Sequence, residues 1–323
     1  MNTIKRIAVL TSGGDAPGMN AAIRAVVRRG LSEGLEVIGI RDGFLGLHQE
    51  RFINLTHQDV EDIINKGGTI LGTARFVAFE EASVREEAVA NLKNHNIDAL
   101  IIIGGNGSFT GALRLSEIGI PCIGIPATID NDVKGTDFSI GFDTALNTVV
   151  ECMDKLRDTC NSHKRVNIVE IMGRHCGDLA AYSGIASGAD FIVIPEKDFD
   201  KKEIYDQVIS SFNQGKRHGL IALAENITNA ESLAHDIETN TSIECRTTIL
   251  GHIQRGGSPS GMDRILASRL GNYAIELLIS NVQGVCVGIE NNVLVNHPLT
   301  IENDDTYLRT KDLSIFTLPS KLA

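Results

Sequence analysis

The chain has no tryptophan and no Cys-x-x-Cys pair, and its longest apolar runs fall far short of the roughly 20 residues that a membrane span needs. The first absence leaves ordinary globular composition, with 42% hydrophobic and 22% charged residues among 323. The second makes Cys122, Cys152, Cys160, Cys176, Cys245 and Cys286 reduced thiols of a cytoplasmic protein rather than disulfide partners. The third excludes a membrane-spanning helix. No signal peptide is expected either, because Met1–Arg6 runs straight into a strand-like segment. Positive charge is also scarce. A formal net charge of −11 does not suit binding to a nucleic-acid backbone over a broad surface, so a phosphorylated ligand would need local arginine clusters. Low-complexity tracts, charge blocks and short repeats are missing, and no Pro/Gly/Ser linker marks a domain boundary.

What is present is alternation. Short apolar runs begin near Arg6, Leu35, Ala99, Cys122, Val166, Phe191, Leu220 and Val285, and helical patterns such as Asn20–Arg29, Thr144–Arg157 and Lys202–Phe212 lie between them. Ala99–Ile103 is apolar throughout, as a strand buried on both faces should be. The pattern predicts an α/β fold with mainly parallel sheets, whose ligand sites sit beyond the carboxyl ends of the strands. Glycine is abundant, 32 residues, and five glycine-rich or polar loops follow strands where ligands would be met: Ser12–Asp15, Gly104–Ser108, Pro126–Asp132, Met172–Arg174 and Glu225.

The Ser12–Asn20 loop leads into a helix and has the glycines to bring backbone N–H groups to a phosphate, but it is not a P-loop. Gly104–Ser108 is open to two readings, a phosphate cradle or a turn in which Ser108 caps the next helix. Asp130-Asn131-Asp132 is sharper: one carboxylate can serve as general base and the other can hold a divalent cation. Arg165, Arg174, Arg246 and Arg255 supply guanidinium forks suited to phosphoryl oxygens, whereas His252 by itself reads as a structural hydrogen-bonder.

Three stretches together resemble the signature motifs of bacterial ATP-dependent 6-phosphofructokinase: Leu10–Ala22, Thr128–Asp132 and Gly251–Pro259. The likeness runs from Ile7 to about Ile289. It implies two similar Rossmann-like three-layer domains facing across a cleft. Residues 1–139 and 252–301 would form a larger nucleotide-binding domain, and residues 140–251 and 302–323 a smaller sugar-phosphate domain. It also implies a homotetramer that moves the γ-phosphoryl of ATP to the 1-hydroxyl of fructose 6-phosphate with Mg2+. Asp130 would be the base, and Thr128, Arg174 and Arg75 would stabilise the moving phosphoryl group. Gly14, Arg75, Phe76, Gly105, Asn106, Gly107 and Ser108 would line the ATP site. The sugar phosphate would meet Thr128, Asp130, Asp132, Met172, Gly173, Arg174, Glu225, His252 and Arg255, with Arg165 and Arg246 reaching in from a neighbouring subunit. Asn106 and Asp132 would serve the metal, and Arg24, Arg28, Asp62, Arg157, Lys216 and His218 an ADP or phosphoenolpyruvate effector.

Six positions depart from the family pattern. Asn106 stands where the family carries a metal-binding Asp, which leaves a catalytically weak binding paralogue as one alternative. Ala127 replaces a Gly; the pyrophosphate-dependent relatives have Lys there and Asp at the position of Gly107, so neither of their marks is present. Glu80 replaces an Arg near the nucleotide. At the effector positions, Gln214 and His57 replace basic residues and Asp190 a Glu, which leaves fewer fixed positive charges for a polyanion.

Overall fold

The computed structural model describes residues 4–299. Residues 1–3 and 300–323, including the tail expected to join the smaller domain, lie outside the described residues. The first part of the chain forms β1 (Arg6–Thr11), α1 (Met19–Ser32), β2 (Glu36–Ile40), α2 (Gly43–His48), β3 (Phe52–Asn54), a 3-10 turn at Val77–Glu80, α3 (Ala82–Asn94), β4 (Ala99–Gly104), α4 (Asn106–Glu117) and β5 (Cys122–Pro126). The middle forms α5 (Phe142–His163), β6 (Val166–Ile171), α6 (Asp178–Ala186), β7 (Phe191–Val193), α7 (Lys201–Asn213), β8 (Gly219–Ala224), α8 (Ala230–Thr241) and β9 (Cys245–Ile249). A 3-10 turn at Gly251–Arg255, α9 (Gly261–Ile279), β10 (Val285–Glu290) and β11 (Val293–Pro298) follow. No helix among the described residues is long and apolar enough to cross a membrane.

The chain divides into two compact units. The first takes the chain up to Thr128, then Asp132–Thr144, and the described residues from Arg255 on; the second takes Ile129–Asn131 and Ala145–Gln254. The sequence expectation puts these changes at 139/140 and 251/252. The chain stays in the first unit past residue 140 because Asp263, buried on α9, accepts from the Gly141 and Thr144 amides at 2.8 Å each and from the Thr144 hydroxyl at 2.5 Å. Burial raises this carboxyl above the ordinary Asp range, against the pull of those donors.

The first unit holds a seven-stranded sheet in the order β11-β10-β5-β4-β1-β2-β3. Its pairs are parallel except β2–β3 and β10–β11. All six residues of β4 are buried, which is why its sequence shows no alternation. α1 and α9 pack closely: a Cβ on Gly271 would stand 2.6 Å from the Ala25 Cβ, so only glycine allows that approach. The second unit holds a four-stranded, fully parallel sheet in the order β7-β8-β6-β9, and β8 is buried throughout.

β3, β9 and β11 were not expected from the sequence. β9 reads Cys-Arg-Thr-Thr-Ile and is mostly half-buried or exposed at the edge of its sheet, so it carries no apolar run to see. All six cysteines are free, and five are buried. Desolvation pushes the Cys122 and Cys245 thiols up to about 12, which makes them packing groups rather than reactive ones.

Candidate active site

In the first unit, β1, β4 and β5 are parallel neighbours, so their carboxyl ends open on one edge of the sheet. The chain order reverses between β1 and β4, because β2 lies on the far side of β1. Loops 12–18, 105–106 and 127–132 leave from this edge, at the place where open α/β sheets bind ligands. The Ser12 amide donates to the Ile103 carbonyl at 3.0 Å and clips the start of the first loop to the end of β4.

Of the two readings of this loop, the Ser108 cap is not the one observed. The N-cap is Gly105, with no side-chain cap, and Ser108 sits buried inside the first turn. Asn106 and Gly107 therefore open the helix, and its first N–H groups lack intrahelical acceptors, as an anion cradle requires. Gly107 is exposed, Asn106 is half-buried, and the Asn106 amide nitrogen donates to the Asp132 carbonyl at 3.3 Å.

The segment leading to Arg75 and Phe76 is moored to this rim by contacts that sequence reasoning missed. Buried Asn20 accepts from the Ile70 amide at 2.7 Å and donates to the Lys66 and Gly67 carbonyls at 3.1 Å each. The Thr11 hydroxyl donates to the Gly72 carbonyl at 2.8 Å, and the Thr73 hydroxyl to the Gly13 carbonyl at 2.7 Å. Segment 66–73 is thus moored along the β1 loop, leaving Arg75 exposed, while the half-buried Phe76 ring packs 5.5 Å from His48. Exposed Glu80 closes the 3-10 turn beyond them, and its carbonyl accepts from Arg85 at 2.6 Å. Half-buried Arg255 also belongs to this unit, and its guanidinium donates to the Asp15 carbonyl at 3.3 Å. It lies so close to Gly14 that a Cβ there would stand 2.4 Å from Nη1.

The run Thr128–Asp132 continues from β5 and changes unit at both ends, since Thr128 and Asp132 belong to the first unit and Ile129–Asn131 to the second. Thr128 and Asp130 are each 8% exposed, and Asp132 is half-buried. The Ser139 hydroxyl donates to the Thr128 carbonyl at 2.7 Å within the first unit. Asn131 lies in the left-handed region (φ 53°), and its buried amide donates to the buried Asp178 carboxylate at 3.0 Å within the second unit. Ala127 is fully buried, so a Lys there would have no room for its chain without displacing the core.

In the second unit, β6, β8 and β9 end on a common edge, again because they are parallel neighbours. The loop after β6 is held by its backbone. One Glu225 oxygen accepts from the Gly173 amide at 3.1 Å and from the Arg174 amide at 2.8 Å. Fully buried Gln254 accepts from the Met172 amide at 3.2 Å and donates to the Gly251 carbonyl at 2.9 Å. Arg174 takes a left-handed backbone (φ 57°) and leaves its side chain exposed. Glu225 therefore anchors the loop, and its charge adds to burial in raising the Glu170 carboxyl. His252 is exposed, not the structural hydrogen-bonder that its residue type alone suggests.

Arg165 and Arg246, neighbours across the β6–β9 edge, converge on Glu244 at 3.7 and 2.8 Å. The effector candidates fall into two groups. Arg24, Arg28 and Asp62 belong to the first unit. Arg24 is lowered by burial and then by the charge of Arg28, so the two share a face of α1. Lys216 and His218 gather in the second unit around Asp190, which is ion-paired with Lys216, and Arg157, paired with Asp154, lies near His218. Burial lowers His218, and Asp190 opposes that shift.

Among the described residues the set Cys176, Asp178 and Glu196 brings three potential ligand atoms within 4.8 Å of one another. A thiol does not suit a hard cation such as Mg2+. Asp132 and Asn106, which offer oxygen donors beside the α4 N-terminus, fit it better.

Comparison with known proteins places these features in context. The family model described as phosphofructokinase matches residues 6–278. An ATP-dependent 6-phosphofructokinase of Tolumonas auensis is 58% identical over 93% of this chain and 94% of its own. A Pichia pastoris phosphofructokinase structure in the T-state superposes with a TM-score of 0.87 at 37% identity over 93% of this chain, and one from Saccharomyces cerevisiae with 0.83 at 34% over 98%. This chain spans only 35% and 46% of those two yeast chains.

Proposed function

The chain belongs to the phosphofructokinase family, and from that membership we propose that it transfers the γ-phosphoryl group of ATP to the 1-hydroxyl of fructose 6-phosphate, giving fructose 1,6-bisphosphate and ADP in glycolysis. The observation that carries this reading is the turn beyond β5, in which Thr128 and Asp130 are buried and the Asp132 carbonyl accepts from Asn106 at the opening of α4. The first unit takes the nucleotide: Gly14, Gly105, Asn106, Gly107 and Ser108 offer backbone and hydroxyl donors, and Arg75 and Phe76 lie beyond them. The second takes the sugar phosphate through Met172, Gly173, Arg174, Glu225 and His252, and Arg255 of the first unit contacts the phosphate.

In the reaction, Asp130 accepts the proton of the 1-hydroxyl. The freed oxygen attacks the γ-phosphorus as the bond to the β-phosphate oxygen breaks, with ADP as leaving group. Arg75, Arg174 and the Thr128 hydroxyl stabilise charge on the travelling phosphoryl group, which is most of what such an enzyme provides. Asp132 and Asn106 would hold Mg2+, whose charge neutralises the donor phosphates. A half-buried Asn brings no charge of its own, so the metal leans on Asp132 and on ATP.

The assembly is a homotetramer in which Arg165 and Arg246 serve a neighbour's sugar-phosphate site, and the protein is cytoplasmic. Arg24, Arg28, Asp62, Arg157, Lys216 and His218 would receive ADP or phosphoenolpyruvate, weakly, because Lys216 already neutralises Asp190.

The donor is tested by assaying fructose 6-phosphate and magnesium with ATP and pyrophosphate in parallel. Turnover with ATP and none with pyrophosphate is expected. The reverse result makes the enzyme pyrophosphate-dependent, and sugar-phosphate binding with no turnover makes it a binding paralogue.

A further inference from the structure

The residue between the two carboxylates has no chemistry of its own for phosphoryl transfer, yet it is among the most constrained in the protein. Asn131 is 2% exposed and holds a left-handed backbone, a conformation that asparagine tolerates better than most residues. Its amide donates at 3.0 Å to Asp178, which is itself 2% exposed. With both partners out of water, no solvent molecule can replace either one.

Asp178 is well placed to act as a fixed point. It is the first residue of α6, where the helix dipole favours a carboxylate. The α6 entry is fixed in turn: the Gly177 amide donates to Glu196 at 2.8 Å, and Gly177 packs so tightly that a Cβ would stand 2.5 Å from the Ile194 Cβ. The connection from β6 to α6 is the segment that carries Met172, Gly173 and Arg174. One short segment thus bears the sugar-phosphate loop at one end and the anchor of the Asp130 turn at the other.

We propose that the Asn131–Asp178 hydrogen bond is a positioning device that fixes the reach of the Asp130 carboxylate relative to the Met172–Arg174 loop. It rests on the reading of Asp130 as the base. Asp130 is the residue next to the tethered one, so any swing of the turn moves its carboxylate. Misplacing a catalytic group by about 1 Å is enough to cost about a hundredfold in rate. A bond that merely satisfied two buried groups would change stability without separating kcat from KM.

The test uses the full chain with four substitutions: Asn131→Gly, Asp178→Ala, Asp178→Asn and Asp130→Ser. Asn131→Gly keeps the left-handed backbone accessible while deleting the side-chain amide, so it carries the test even where Asp178→Ala does not fold. Asn131→Gly and Asp178→Ala are expected to lower kcat about 10- to 100-fold while the KM for ATP moves less than about twofold. Asp178→Asn retains an oxygen acceptor and should return to within about fivefold of the parent. Normal kcat in Asn131→Gly together with an inactive Asp130→Ser overturns this inference alone, as does an Asp178→Asn variant no better than Asp178→Ala. Normal turnover in Asp130→Ser overturns the reading of Asp130 and this inference with it.

Discussion

The two rims meet one problem, holding a loop still at the end of a parallel sheet, and they solve it with different chemistry. In the first unit the loops are glycine-rich and their moorings are mostly neutral: Thr11, Thr73 and Asn20 reach backbone carbonyls and amides, with the Arg255 guanidinium on the Asp15 carbonyl a charged exception. In the second unit the moorings are charged or fully buried acceptors: Glu225 on the Gly173 and Arg174 backbone amides, Gln254 on the Met172 backbone amide, and Asp178 on the Asn131 side-chain amide. The difference suits the ligands proposed for each. A nucleotide phosphate takes free backbone donors, so the first rim keeps the N–H groups at the start of α4 unspent. The second rim spends backbone donors on its own acids and leaves ligand binding to exposed side chains such as Arg174.

Glu225→Ala puts the most strain on that contrast. Removing the carboxylate releases two amides from one oxygen, and the KM for fructose 6-phosphate should rise about 100-fold while the KM for ATP stays within about twofold, because charge-assisted hydrogen bonds are about twice as strong as neutral ones. Steady-state kinetics with each substrate varied in turn checks this. An equal rise in both constants would show that the rims are not separate.

Gly14→Ala should act more gently and in an unexpected direction. The added methyl meets the far end of the Arg255 side chain, so the protein folds normally and the guanidinium moves. The expected result is about a tenfold rise in the KM for the sugar phosphate, on the order of one lost charged hydrogen bond, from a residue of the nucleotide loop. A change confined to the KM for ATP would place Arg255 on the nucleotide side instead.

Much of this was legible in the sequence, and the boundary of legibility has a physical cause. The strands from Ala99, Cys122 and Leu220 announce themselves because a strand buried on both faces is apolar in every residue. The loops after them are visible because each is a contiguous run. The anchors are not. Gln254 lies 82 residues from Met172, and Asp178 lies 47 from Asn131. A buried amide or acid in a helix looks like any surface polar residue until the partner is known. Ser108 shows the same limit on a shorter scale: its residue type suits a cap, whereas the backbone starts α4 two residues earlier at Asn106. β9 was hidden because its side chains sit at a sheet edge and do not need to be apolar.

The smallest expected effect concerns Asn106. Asn106→Asp adds a charge beside the Asp132 carbonyl and at the opening of α4, where a carboxylate is favoured by about 0.3–1 kcal/mol. The magnesium concentration needed for half-maximal rate should fall a few-fold, with kcat nearly unchanged. Magnesium binding followed by calorimetry on the ATP-free protein gives a second readout. An unchanged magnesium dependence would remove position 106 from the metal's surroundings.

The account depends above all on a carboxylate at position 130 that accepts a sugar hydroxyl's proton. Turnover of Asp130→Ser at saturating fructose 6-phosphate, ATP and magnesium measures that dependence directly. The account predicts a loss of at least about a hundredfold, the usual worth of a general base, with fructose 6-phosphate still bound by the Arg174 loop. Turnover within about twofold of the parent enzyme would contradict it.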